Sequence, residues 1–218
     1  MPVDDARPAD APWPEMSWPP DGQTRLRGCV VELSPLVAEF DAAALFEALD
    51  DDAVWQHLAG RPKTPARYAA MLERFQTADR FPWLIRLIRP VAGSPAGTVV
   101  GTSSFLEVAV ADARLEIGAT AYGPRMWGTA VNPDAKCQLL SYAFDVLGAG
   151  RVQLKTDVRN LRSQEAIARL GAQYEGTLRR YQRRADGTVR DTVLFSVLRE
   201  NWPRVRDGLL ARLPETPP

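Results

Sequence analysis

A glycine-containing turn in the middle of the chain has residue types that can bind a phosphate group. The segment Tyr122-Gly-Pro-Arg-Met-Trp-Gly-Thr-Ala130 leads directly into a helical pattern. Gly128 would let the backbone approach an anion closely, and Thr129, Ala130 and Val131 would offer N–H groups. The first N–H groups of a helix lack intrahelical acceptors and lie at the positive end of its dipole. The turn is therefore a candidate anion site, and the alternative is a plain strand-to-helix turn.

The helix that follows this turn has a strong predicted start. We expect it over residues 132–147, with Asn132 as N-cap, Pro133 at the first position and Asp134 in the first turn. Asp134 places negative charge where an anion would bind, and Lys136 is expected to offset it. The predicted buried stripe consists of Leu139, Leu140, Ala143, Phe144, Val146 and Leu147.

The strand predicted before the turn, Arg114 to Ala121, alternates between two faces. One face carries leucine, isoleucine and alanine, and the other carries Glu116, Gly118, Thr120 and Tyr122. A carboxylate beside a glycine suits a site in which an extended ligand lies against a sheet. The alternative is a structural glutamate that pairs with a nearby arginine.

A second polar segment, Asp157-Val-Arg-Asn-Leu-Arg-Ser163, lies between a predicted strand and a predicted helix. Asn160 is expected to cap this helix, and Ser163 lies one turn in, on the same side. A helix cap and a binding role for Asn160 are compatible.

Taken together and in this order, the two segments resemble the coenzyme A site of the GNAT superfamily of N-acetyltransferases. Arg125, Gly128 and Ala130 fill the three defining positions of its Gln/Arg-x-x-Gly-x-Gly/Ala motif. The resemblance covers roughly residues 25–205. Within it, residues 115–202 resemble the branch of ribosomal-protein alanine acetyltransferases, through elements such as Arg159-Asn160-Leu-Arg-Ser163 and Glu175-Gly-Thr-Leu-Arg179.

The resemblance implies acetyl-CoA or coenzyme A as cofactor, no metal, and specific roles for these residues. Glu116 would be the general base. Many relatives use a tyrosine to protonate the departing thiolate, but that position is Ile167 here, so Ser163 becomes the candidate acid. The residues that would bind the cofactor are Arg125, Met126, Trp127, Gly128, Thr129, Ala130, Val131, Asn160 and Ser163.

The acceptor implied by the branch is a protein N-terminal amine, with Trp55, Tyr122 and Trp83 as candidate contacts. The segments 50–55 and 61–64 are further candidates for acceptor contact. Two alternatives stay open: a small-molecule amine such as a polyamine or antibiotic, and a non-catalytic acyl-CoA-binding module. The arginine-rich hairpin around Asp186-Gly187 is either a solvated edge or a docking patch, and a homodimer is possible.

Composition excludes several other classes of protein. The formal net charge of +0 gives no global attraction to nucleic acid or membranes. Cys29 and Cys137 form no CxxC pair, and His57 is the single histidine, which argues against a metal site and favours a cytoplasmic protein. No apolar run approaches the ~18 residues that a membrane span needs.

Alternating strand and helix patterns predict an α/β (α+β) fold. The resemblance further implies a mixed, mostly antiparallel sheet whose fourth and fifth strands, Arg114–Ala121 and Arg151–Thr156, splay apart to admit the cofactor. Residues 1–22 contain six prolines and are predicted as an irregular arm that Trp13 and Trp18 attach to the body. The catalytic domain is expected over residues 23–212, with a loose tail over 213–218.

Overall fold

A computed structural model of the chain describes residues 13–58, 60–75, 77–184 and 186–214. Within these residues one sheet contains eight strands in the order β1-β2-β3-β4-β5-β6-β8-β7. All neighbours are antiparallel except β5 and β6. The strands are β1 Leu26–Arg27, β2 Val31–Pro35, β3 Phe81–Leu87, β4 Val99–Ala109, β5 Arg114–Tyr122, β6 Arg151–Asp157, β7 Gln173–Arg183 and β8 Val189–Leu198.

The helices lie between these strands. In the middle of the chain, the order of helices and strands is the one that the sequence predicts. Thr64 caps the third helix with Pro65 at its start, and Asn160 caps the fifth through a hydrogen bond from Ser163 N. The helices are α1 Ala38–Leu49, α2 Asp52–Trp55, α3 Pro65–Arg74, α4 Val131–Ser141, α5 Leu161–Arg169 and α6 Trp202–Leu210. Helix α4 continues into a π-helical turn over Tyr142–Val146.

Two hydrophobic cores lie on opposite faces of the sheet. The larger one, on what we call the first face, joins α4, α5 and α6 to side chains from β2 through β8. The smaller one, on the second face, joins α1 and α3 to Leu84, Val99 and Ala121 of β3, β4 and β5. On the second face, β6 instead presents Gln153, Lys155 and Asp157, which alternate with the core residues Val152 and Leu154. On the second face, the polar half formed by β6 therefore lies beside the half that α1 and α3 cover.

The gap predicted between the fourth and fifth strands is present between β5 and β6. These two strands pair only from Arg114 with Arg151 to Glu116 with Gln153, and from there they separate. The remaining edge of β5 therefore faces an opening in the sheet. Glu116 lies at the closed end of this opening.

Several local predictions differ from the structure. Helix α4 begins at Val131 with Ala130 as its cap, so Asn132 is not the N-cap. Val146 is 62% exposed because the π-helical turn rotates it away from the predicted buried stripe. Phe40 is 73% exposed although it is apolar, because α1 buries Ala38, Ala42, Leu45 and Leu49.

The two ends of the domain contain further structure. Trp13 Nε1 donates to Ala111 O at 3.2 Å, Trp18 Nε1 donates to Ala78 O at 2.8 Å, and Met16 lies in the larger core. The described part of the N-terminal arm thus packs on the body. The sequence analysis assigned no helix to Trp202–Leu210, although Trp202, Val205 and Leu209 follow a helical spacing and are buried there.

Candidate active site

A bulge in β5 reverses the alternation that the sequence predicts for this strand. Thr102 pairs with Ala121 and Ser104 pairs with Gly118, so two β5 residues lie opposite the single residue Ser103. Ala119, within the bulge, has φ +46°. Beyond the bulge, each side chain points to the face opposite to the predicted one.

The bulge corrects the prediction that Glu116, Gly118, Thr120 and Tyr122 share a face. Tyr122 lies in the core on the first face and Ala121 in the core on the second. Glu116 and Gly118 stay on the second face, where a Cβ at Gly118 would clash with Glu116 Oε1. The glycine therefore provides the space in which the glutamate side chain lies.

Lys136 reaches the bulge from α4 on the first face. Its Nζ donates to Thr120 Oγ1 at 2.7 Å and to Ser103 Oγ at 3.1 Å, and the two hydroxyls lie 2.8 Å apart. Burial lowers the pKa of this amine to about 7, although the charge of Glu116 acts in the opposite direction. Lys136 therefore donates hydrogen bonds to side chains of the sheet, and it does not offset the charge of Asp134 as the sequence predicts.

Asp134 also points away from the glycine turn. Its Oδ2 accepts hydrogen bonds from Val30 N at 2.7 Å and from Val31 N at 2.9 Å. A side chain at Gly28 would clash with this carboxylate, so the loop before β2 closes tightly over it. The Asp134 carboxylate is therefore bound by backbone N–H groups inside the protein, and it does not point toward the turn at the start of α4.

The glycine turn presents backbone N–H groups to solvent. Gly128 is exposed with φ +74°, a conformation that favours glycine. Thr129 N already donates to Met126 O, and Val131 N to Thr129 Oγ1. Among the described residues, the N–H groups of Gly128, Ala130 and Asn132 have no acceptor.

The side chains of the turn differ in their placement. Arg125 is exposed, whereas Met126 and Val131 are buried and can contact a ligand only through their backbones. Three unpaired N–H groups beside an exposed arginine fit a pyrophosphate, which is the group that the predicted cofactor would place there.

Glu116 lies in a buried charge cluster on the second face. Its Oε2 is 2.8 Å from Lys155 Nζ, and the same amine lies 2.5 Å from Glu107 Oε1. The contact with Glu116 does not have hydrogen-bond geometry, since Oε2 has no hydrogen-bond partner. Burial raises the pKa of Glu116 and Lys155 partly opposes that rise. The predicted arginine partner is therefore a lysine.

The start of α5 contacts the glycine turn. The Asn160 side-chain oxygen accepts from Ser163 N at 3.1 Å, which leaves its amide N–H groups available. Arg162 Cζ lies 3.4 Å from the centroid of the Trp127 ring, a cation–π contact between the residues that follow β5 and β6. The contact thus connects the two segments on which the sequence analysis rests.

The structure separates the three predicted acceptor contacts. Trp83 is 0% exposed and packs against Phe105 and Tyr142 in the larger core, so it cannot contact an acceptor. Tyr122 is 7% exposed and is excluded in the same way, because the bulge turns it inward. Trp55 is half-buried on α2, where its Nε1 donates to Leu49 O at 2.8 Å.

Four charged residues at the site were not singled out by the sequence analysis as site residues. Lys136 and Lys155 contact Thr120 and Glu116 from opposite faces, as described above. Arg184 from the β7–β8 hairpin forms a paired contact with Asp157, at 2.5 Å to Oδ2 and 2.8 Å to Oδ1. The hydrogen bonds from Arg184 lower the pKa of Asp157 to about 2. In the sequence, Gln153, Lys155 and Asp157 occupy every second position of a strand. This pattern predicts a polar face and could have identified these residues.

A sheet that opens beside a glycine turn and a buried carboxylate is the arrangement that the resemblance to acetyltransferases predicts. The family model described as an acetyltransferase (GNAT) domain matches residues 31–173. The chain therefore belongs to the GNAT acetyltransferase family.

Individual relatives agree with this assignment. The uncharacterized N-acetyltransferase p20 of Bacillus licheniformis is 32% identical over 48% of this chain and 57% of its own length, so the chain spans little more than half of that relative. An acetyltransferase candidate from T. thermophilus is 37% identical, covers 91% of this chain and 100% of its own, and has a TM-score of 0.78. Mycobacterium smegmatis RimJ in complex with CoA-disulfide is 22% identical over 86% of this chain and 92% of its own, with a TM-score of 0.70. The RimJ likeness is one of fold.

No helix in the described part of the chain is long and apolar enough to span a membrane.

Proposed function

We propose that the chain catalyses transfer of an acyl group, most simply acetyl, from acyl-CoA to a primary amine. The observation that carries this proposal is the opening between β5 and β6, which has Glu116 at its closed end and the glycine turn at its mouth. The opening exposes the backbone edge of β5, and an extended ligand can pair with such an edge. The free N–H groups of Gly128, Ala130 and Asn132 support the position of the pyrophosphate.

The residues of the opening have distinct roles in this proposal. Acyl-CoA, when bound, would supply the thioester that activates the acyl group, and coenzyme A would leave as the thiol. The Asn160 amide binds the pantetheine arm, and Arg125 contacts the phosphates. Glu116 accepts the proton that the acceptor ammonium loses, directly or through water, and its raised pKa suits this transfer near neutral pH. Lys155 keeps the carboxylate ionised until that step.

When the amine attacks the thioester, negative charge develops on the carbonyl oxygen of the acyl group. N–H donors close to the closed end of the opening would stabilise this charge. The bulge at Ala119 and Thr120 leaves one residue without a ladder partner in β4, so its backbone can serve this purpose. The thiolate that departs needs a proton. Ser163 is our candidate donor, because Ile167 at the alternative position is buried and has no proton to give.

A protein N-terminal amine is the acceptor that we favour. The second face of β6 and β8 carries polar side chains, and the charges of Asp157 and Arg190 act on His57, which follows α2. This face offers an extended peptide a surface to lie on. We assign the reaction to the cytoplasm, because Cys29 and Cys137 are free thiols. A small-molecule amine is the alternative acceptor.

The test begins with a thermal-shift titration by acetyl-CoA, with dephospho-CoA and longer acyl-CoAs as comparisons. A ligand at ~100 times its dissociation constant should stabilise the fold by about 2.7 kcal/mol. Gly128→Val, strained by the positive φ at this position, should weaken the shift, whereas Gly187→Val at the exposed tip of the β7–β8 hairpin, also at positive φ, should not. No shift with millimolar acetyl-CoA would overturn the cofactor assignment.

Acceptor identity requires a second measurement on the same protein. Release of free thiol should be followed with N-terminal peptides, polyamines and aminoglycosides under one set of conditions. Turnover of peptides supports the favoured acceptor, and turnover confined to polyamines or aminoglycosides supports the alternative. Saturable binding of acetyl-CoA without turnover of any amine would indicate a non-catalytic acyl-CoA-binding module.

A further inference from the structure

Arg190 is a half-buried arginine on the polar second face that has no partner. Among the described residues its side chain makes no hydrogen bond and no ion pair, and its Nε is buried. Burial lowers the pKa of its guanidinium, which indicates the cost of holding this charge away from water. Such a group is normally paired with an anion.

The strand register places Arg190 at the mouth of the opening. Asp157, the last residue of β6, pairs with Thr192, and Arg190 lies two residues further along β8 on the same face. That face is also the face of Glu116, since Leu115 and Ile117 on either side of Glu116 lie in the first core. Arg190 therefore shares the acceptor side of the sheet with the proposed base.

The charged neighbours of Arg190 are engaged with other groups. Arg184 is already paired with Asp157, and Arg162 lies over Trp127. His57, at the end of α2, feels the charges of Arg162, Arg184 and Arg190, so these cations lie around one space.

The carboxylates near these cations have other partners. Asp157 pairs with Arg184, and Glu116 contacts Lys155. Asp186 Oδ1 accepts from Thr188 N, and Asp191 Oδ1 accepts from Arg180 N.

We propose that Arg190 binds a carboxylate of the acceptor, so that the preferred substrate is an amine whose chain carries an acidic side chain a short distance beyond it. This inference rests on the proposed function, whose acceptor class it specifies. The anion comes from the acceptor because the glycine turn that would bind the cofactor phosphates belongs to α4, which packs on the opposite face.

The spacing favours a peptide side chain over the carboxylate of a free amino acid. Six residues along the sheet separate the level of Glu116 from Arg190, roughly 20 Å between backbones. The charge of Glu116 nevertheless acts on Arg190, which places the two charged groups on the order of 10 Å apart. An extended peptide advances about 3.4 Å per residue, so an acidic side chain at the third position spans this distance.

The test uses hexapeptides that are identical except for Asp, Asn or Lys at the third position. Binding to the complex of the enzyme with coenzyme A is measured by calorimetry, and acetylation is measured in parallel. We expect the Asp peptide to bind and to react about tenfold better than the Asn peptide, with the Lys peptide weakest. The advantage of Asp should shrink as salt is raised.

Two arginine variants locate the effect. Arg190→Gln should remove the preference for Asp over Asn and leave the dissociation constant for acetyl-CoA unchanged. Arg183→Gln removes one charge from the same hairpin, but Arg183 is exposed and on the other face, so this control should keep the preference. Arg190→Lys retains the charge and serves if the glutamine variant does not fold.

The outcomes separate this inference from the proposed function. Equal binding of the Asp and Asn peptides by the wild-type protein would overturn the role of Arg190, whether or not peptides are acetylated. Weaker acetyl-CoA binding by Arg190→Gln would overturn it too, because Arg190 would then contact the cofactor. Preferential binding of the Asp peptide without any acetylation would support the anion site and count against the proposed reaction. If no peptide binds, this inference fails, and the proposed function then depends on turnover of a small-molecule amine.

Discussion

Two buried lysines contact β5 from opposite faces of the sheet, and their amines have opposite pKa shifts. Lys136 is 4% exposed, and the side chain of Lys155 is 7% exposed. Lys136 has two hydroxyl partners, and burial lowers its pKa to about 7. Burial would lower the pKa of Lys155 as well, but the carboxylates of Glu116 and Glu107 outweigh it and raise that pKa.

The difference teaches that the partners of a buried amine, more than its burial, decide its charge. On the first face, hydroxyls stabilise the ammonium only weakly, so Lys136 can lose its proton near neutral pH. On the second face, two carboxylates hold Lys155 charged, and its charge in turn partly opposes the rise in the pKa of Glu116 that burial causes. One lysine therefore ties the bulge to α4, while the other belongs to the reaction side.

The largest expected effect concerns Glu116. Glu116→Gln keeps the shape of the side chain and removes its ability to accept a proton, so kcat should fall by about 100-fold or more. The affinity for acetyl-CoA should stay unchanged in a thermal-shift titration. Glu107→Gln, which removes the exposed carboxylate from Lys155, is the control and should keep most of the activity. Equal loss in both variants would show that the cluster acts only as a structural unit.

The pH dependence of stability should distinguish the two lysines. Because the folded-state pKa of Lys136 is below that of a free lysine, the unfolded chain binds more protons between about pH 7 and pH 10. This term makes the wild-type protein more stable as pH rises, by at most about 1.4 kcal/mol per pH unit. The free energy of unfolding of Lys136→Met should therefore lack this term.

Lys155→Met provides the opposite case for the same measurement. Its folded-state pKa is raised, so the stability from Lys155 is fully present below the pKa of the unfolded chain and is lost only above it. The difference from the wild-type protein should be constant between pH 6 and pH 9. Chemical denaturation at several pH values measures both variants. If the free energy of unfolding of the two variants changed with pH in the same way, the contrast between Lys136 and Lys155 would be wrong.

Lys155→Met should also move the pH dependence of catalysis. Lys155 lowers the pKa of Glu116, so its removal should shift the acidic limb of kcat/KM toward higher pH. Lys136→Met, on the other face, should shift this limb less and in the same direction, because both ammonium groups favour the Glu116 carboxylate. An unchanged limb in Lys155→Met would mean that Glu116 is not the group that titrates.

The smallest expected effect comes from the hydroxyl partners of Lys136. Thr120→Val removes one acceptor from the buried amine while keeping the side-chain shape, and should destabilise the fold by about 1 kcal/mol. Thr177→Val, at an exposed site in β7, should change stability by less than about 0.5 kcal/mol. Equal effects at the two sites would show that the hydrogen bond to Thr120 contributes nothing.

The sequence was informative wherever a feature depends on residues close together in the chain. The glycine turn before α4, Asn160 as a helix cap and the strands on either side of the opening were all predicted from local sequence. The family follows from the same segments. Local backbone preferences and short motifs determine these features, so neighbours in sequence suffice to find them.

Features that depend on pairing between distant segments were not predictable in this way. The bulge exists because β4 fixes the register of β5, and it alone turns Thr120 and Tyr122 to the face opposite Glu116. Trp83 looked like a site residue and is a core residue, since its environment comes from β4 and the π-helical turn.

By itself, the sequence determined the family, the opening in the sheet and the turn at its mouth. Only the tertiary structure decided which side chains share a face, which lysine keeps its charge, and that Arg190 lacks a partner where Arg184 has one. The physical reason is that the charge of a buried group is set by what packs against it, and those partners come from strands and helices far apart in the chain.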